Sequence, residues 1–157
     1  MIPMNEDFKE RLVGTNIDPG SLLSTDYFNH FNEVIMMFSM LPDMPELLDE
    51  VDQWKFKSYC EHFSESGLSW GQLAIECYGA ARPDIRDRLE RIVMQIDMLV
   101  IEARTKLRQA VEENNMPKFA DIARTSSLEL QGMVDDGSSV VHGRESSADQ
   151  TTIDSMF

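Results

Sequence analysis

Asp49 and Gln53 lie four residues apart in "DEVDQ", so a helix over this stretch sets a carboxylate and a carboxamide on one face. Asp43, Glu46, Glu50 and Asp52 surround the pair. A solvated helix face is the plainer reading of such an acidic block, and a functional pair is the sharper one. Elsewhere Cys60 and His62 in "CEH" bring a thiol near an imidazole, but Cys77 is the only other cysteine. A zinc site needs four ligands in paired spacing, so a core thiol beside a surface imidazole is the expectation, with no metal and no cofactor. The chain shows no glycine-rich phosphate loop or nucleophile elbow, which leaves the familiar enzyme classes without support.

Residues 148–157, "ADQTTIDSMF", pose a different chemistry, that of binding. They follow "GSSVVHGRESS", which has little to bury and is expected to be disordered when free. Ile153, Met156 and Phe157 are spaced as one amphipathic turn. Left in water, such side chains each forgo about 1.5–3 kcal/mol of burial. Either a partner's groove or the chain's own domain is expected to cover them.

The elements that must position these groups read as helices. The 157 residues suit one domain, and eleven Met with few alternating β-branched runs point to an all-α fold. A first amphipathic piece is expected over 5–13, before Gly14 and the turn-like "NIDPGS". Phe28, Phe31, Ile35 and Phe38 share one helical face, and the apolar run Val34–Leu41 predicts the most buried helix. A helix restarts near Pro45, and another places Phe56, Tyr59, Cys60 and Phe63 on one side before Gly67. Ser69 and Gln72 resemble a capping box for the next.

The longest element opens at "RPDIRDRLERIVMQ" and carries Ile85, Leu89, Ile92, Ile96, Leu99, Ala103 and Leu107 as a stripe. Seven bases from Arg82 to Arg108 share this segment with five acids, and pairing between helical neighbours or docking to an acidic surface are the two readings. Pro117 is expected to break the helix, after which Phe119, Ile122, Leu130 and Met133 fold back along it, with Gly137 as the stop. The expected architecture is thus a helical bundle over 1–136 with a long antiparallel helix hairpin, and a flexible tail over 137–157 ending in a binding peptide.

A formal charge of -14 disfavours nucleic acid and anionic membrane as partners. The opening "MIPMNEDFKERL" lacks the basic and apolar regions of a secretory signal, so a cytoplasmic location is expected.

Residues 149–157 resemble the short peptides by which flagellar and chemotaxis proteins hold the response regulator CheY. Gln150, Ile153, Asp154, Met156 and Phe157 match that pattern, while Thr151 and Thr152 stand where acids are common. The CheZ phosphatase family carries such a peptide after a flexible linker. It also opens a long hairpin helix with a sequence similar to Pro83-Asp84-x-Arg86-Asp87-Arg88-Leu89, followed by Val93 and Gln95. The resemblance implies a CheY-like receiver domain as partner, a homodimer, and an Asp-x-x-x-Gln pair in which the amide orients water toward an aspartyl phosphate. An amide suits that task because it both donates and accepts. The family's pair lies on the second hairpin arm, where this chain has Ser127 and Gln131, so Asp49 and Gln53 are the candidate catalytic residues. Three readings remain: a receiver-binding protein, a CheZ-like phosphatase, and a helical adaptor or scaffold unrelated to chemotaxis.

Overall fold

The computed structural model describes residues 6–143, and the peptide over 150–157 lies outside them. The order is α1 (Glu6–Leu12), α2 (Phe28–Met40), α3 (Leu48–Gln53), α4 (Tyr59–Glu65), α5 (Gly71–Ala80), α6 (Pro83–Glu112) and α7 (Met116–Val141), with 3-10 turns before α2 and α3. Among the described residues the fold is all-α, and its only extended pairing is an isolated bridge between Ile17 and Ser24. No described helix is long and apolar enough to cross a membrane.

α6 and α7 form the antiparallel hairpin, and α6 alone spans about 45 Å at the usual rise. The expected stripe faces inward: Leu89, Ile96, Ala103 and Leu107 are buried, with Ile85, Ile92 and Leu99 packed at its margin. Ala103, Ala110, Ala123 and Ser126 are buried along the two arms, small residues that let helix backbones approach. The stripe is therefore covered within one chain and supplies no ground for the homodimer. Asn114, in the left-handed region (φ 53°), marks the end of α6, and the Asn115 side chain caps α7 by accepting from Lys118 N–H. Pro117 belongs to the first turn of α7, so it starts the second arm, where the pattern had it breaking the first.

α2 closes the bundle. Phe28, Phe31, Ile35 and Phe38 are buried, as their spacing predicts, and α2 packs chiefly on α7. The run Val34–Leu41 is less buried than expected, because a helix on one side of a hairpin has an outer face: Met36 is 62% exposed and Met40 39%. Two further expectations fail locally. The capping box belongs to Ser58 and Glu61 at the start of α4, whereas α5 has Trp70 at its N-cap and no side-chain cap. Gly137 does not stop α7, which continues to Val141; the glycine is buried because the Phe28 ring lies against it. The helical domain thus extends past the boundary placed at residue 136.

A Cβ on Gly137 meets the Phe28 ring at 2.5 Å, whereas one on Gly132 in the same helix meets nothing within 4 Å. Gly137→Ala is expected to lower stability by about 1–3 kcal/mol through overpacking. Gly132→Ala should raise it by up to about 1 kcal/mol through helix propensity, both read from urea unfolding.

Candidate functional site

α3 owes its place to Leu48 and Val51, which are buried, and to Trp54, which ends the helix and is 6% exposed. The Trp54 indole donates to the His30 carbonyl (3.0 Å) and stacks on the His30 ring at 4.6 Å. His30 Nε2 donates to the Lys55 carbonyl (2.6 Å), and burial lowers the imidazole's pKa. From α3 the carboxylates of Asp49 and Asp52 reach α6.

Two arginines of α6 meet α3. The Arg104 guanidinium donates to the Val51 carbonyl (2.6 Å) and the Trp54 carbonyl (2.5 Å), and it lies over the Phe56 ring at 5.3 Å. It thereby brings a charged donor to two carbonyls at the end of a short helix, of which that of Val51 also accepts from Trp54 N–H (3.2 Å). Arg108 binds Asp49 at 2.8 Å and also pairs with Asp52. So part of the basic set in α6 reaches across the fold, while Lys106–Glu102 pairs at i,i+4 along the helix as the neighbour reading expected, and Arg82, which precedes the helix, binds Asp84 in its first turn.

The structure keeps Asp49 and Gln53 on one short helix, both exposed, with the Asp49 carboxylate held by Arg108. On the second hairpin arm Ser127 donates to the Ile35 carbonyl (3.4 Å), and exposed Gln131 donates to Asp135 (3.1 Å). Each glutamine can orient water only where a partner brings the electrophile to it. Gln150, Ile153, Asp154, Met156 and Phe157 lie outside the described residues. Cys60 is half-buried and Cys77 buried, and burial raises both thiol pKa values, Cys77 to about 11. The described residues contain no group of three or more His, Cys, Asp or Glu placed to hold a metal ion.

A second site escaped the sequence patterns. A cleft of about 470 Å³ lies between α6 and the stretch from Phe56 to Glu61, with Tyr78 of α5 on its wall. Tyr27 donates to the Lys57 carbonyl at its base (2.6 Å), and the Tyr78 hydroxyl donates to Glu90. Asp97 lines the cleft, and its Oδ1 is buried without a hydrogen-bond partner among the described residues. Burial pushes the Asp97 carboxyl from its ordinary 3.8 up to about 6. The available signal was an acid inside the α6 sequence "MQIDMLVI", the most apolar part of that helix.

In comparisons with known proteins, no family model, curated protein or solved structure matches the chain.

Two predictions concern these groups. Arg104→Ala should cost about 2 kcal/mol, because it strips carbonyls of a charged donor. Arg108→Ala should cost less than about 1 kcal/mol, since its ion pairs are exposed; urea titration of both variants checks the order. For Asp97, a folded pKa above the unfolded one means that the folded chain holds the proton more tightly. Its contribution therefore lowers stability as pH rises from about 4 to about 6. Asp97→Asn is expected to raise the thermal midpoint above pH 6, with the gain shrinking as pH falls toward 4.

Proposed function

We propose that this protein is a signalling adaptor of the chemotaxis type, whose C-terminal peptide binds a CheY-like receiver domain. The observation that carries the reading is the sequence match at Gln150, Ile153, Asp154, Met156 and Phe157, with its apolar residues at i, i+3 and i+4, in a chain whose described part is a helical domain. A tethered peptide keeps a captured receiver at high local concentration beside that domain. Further support comes from the segment Pro83–Leu89: it opens α6, the first arm of an antiparallel hairpin, where the family it resembles carries the similar sequence.

Binding without catalysis is the favoured form. The Asp49 carboxylate is already paired with Arg108, so it is less available to a receiver domain. Four positions before Gln131 stands Ser127, where the resembled family has its acid. A phosphatase role for Asp49 and Gln53 stays within the proposal as the activity to be tested.

A peptide of residues 146–157 is expected to bind a phosphorylated CheY-like receiver with a micromolar Kd, about -8 kcal/mol, measured by fluorescence anisotropy. Ile153→Ala with Phe157→Ala should remove that binding, and equal affinity of the doubly substituted peptide would sink the reading. Phosphate loss from the receiver is then followed with the full chain. No acceleration leaves the adaptor. Acceleration that Gln53→Ala slows by orders of magnitude, with Gln131→Ala as control, assigns a phosphatase to α3.

A further inference from the structure

The cleft beside α6 combines three features that its packing role leaves unused. Its lip is apolar and exposed: Met94 is 61% exposed, Met98 62% and, facing them, Phe56 38%. Ile101, 52% exposed, continues the same face of α6 beyond the cleft. Met94, Met98 and Ile101 therefore form a stripe at i, i+4 and i+7 about 10 Å long.

Charge in the cleft is one-sided. Glu61, Glu90 and Asp97 line it against a single base, Lys57, whose Nζ is bound to Glu65 at 2.8 Å. The flanking guanidiniums are also committed: Arg86 donates to the Tyr78 carbonyl at 3.2 Å, and Arg104 donates to the carbonyls of Val51 and Trp54. Glu90 and Glu61 accept from the Tyr78 hydroxyl and the Ser58 N–H. Asp97 has no such donor for Oδ1 among the described residues, and a partly desolvated carboxylate gains most from a cation brought to it.

We propose that the cleft is a docking groove for a basic amphipathic helix of a partner protein, its apolar side chains along Met94, Met98 and Ile101 and its lysine or arginine at Asp97 and Glu90. Methionine suits such a surface because its unbranched thioether side chain adapts to different apolar shapes. Extension of the stripe past the cleft favours a helix over a compact organic amine, which would leave Ile101 uncovered. The chain's own last residues are the wrong sign: over 144–157, Glu145, Asp149 and Asp154 outnumber Arg144. This groove is separate from the proposed receiver-binding peptide, and its failure leaves that reading untouched.

The test uses the full chain with methyl-labelled methionine, titrated with a short peptide of leucine and lysine at amphipathic helical spacing. A leucine and glutamate counterpart is the control. The lysine peptide is expected to shift the Met94 and Met98 methyl signals saturably and to leave that of Met36, exposed on α2, in place. Asp97→Asn and, separately, Glu90→Gln should each weaken binding by about tenfold, which is about 1.4 kcal/mol. Asp43→Asn, the same charge change outside the cleft, should not weaken it. Met98→Gln, at an exposed position, gives a second check that does not touch the acids and should also weaken binding. Equal shifts at Met36, or affinity unchanged by both Asp97→Asn and Met98→Gln, would mean diffuse attraction to an acidic protein and overturn the groove. So would equal binding of the glutamate peptide, tighter binding at these methyls by residues 146–157, or no binding.

Discussion

Burial of the aromatic face of α2 against α7 is the constraint on which the rest of the domain depends. A two-helix hairpin covers only the facing sides of its arms, and α7 has a further apolar side in Val134, Gly137 and Val141. Phe28, Phe31 and Phe38 supply the cover, each fully buried aromatic contributing about 1.5–3 kcal/mol. The closeness of the fit shows at Gly137, where a single methyl has no room beside Phe28. From there the packing spreads through rings: Tyr27 meets Phe31 edge-on at 5.0 Å and Tyr59 at 5.3 Å, and Tyr59 stacks on Tyr78. The short helices α4 and α5 are thereby joined to the hairpin through α2.

The acidic helix α3 is held by different forces. Six residues are too few to stand as a helix in water, so its geometry comes from outside: Leu48 and Val51 below, Trp54 at its end, and Arg104 on its last carbonyls. Its outward carboxylates then serve two demands. They offset the positive charge of Arg108, and they present an acidic surface beside the exposed Gln53. A role in holding α3 to α6 explains Asp49 and Asp52 without any chemistry, which is why the binding reading rests on the C-terminal residues.

Asp97 stands apart from this pattern of satisfied groups. Arg104 meets two carbonyls, His30 donates to the Lys55 carbonyl and the Trp54 indole to the His30 carbonyl, and Ser58 and Glu61 cap one another. A carboxylate pushed up to about 6 on the rim of an apolar cleft departs from the local rule, and such departures concentrate where proteins bind or react.

Sequence alone determined what depends on local period and local chemistry. The stripes of α2 and α6, the fold-back of α7, the helix start at Pro83 and the apolar spacing of Ile153, Met156 and Phe157 are all written in residues a few positions apart. Only the tertiary structure decided how those pieces meet. Gly137 reads as a stop until Phe28 is seen filling its missing side chain, and Met36 reads as core until α2 is found on the outside of the hairpin. Arg104 reads as one more helical base until it reaches Val51, 53 positions earlier. Asp97 reads as an acid in an apolar run of α6 until Phe56 and Tyr78 are found lining a cleft on its side of the helix. The physical reason is common to all four: burial and charge pairing depend on distance in space, and helical periodicity specifies which face a residue is on without specifying what packs against it.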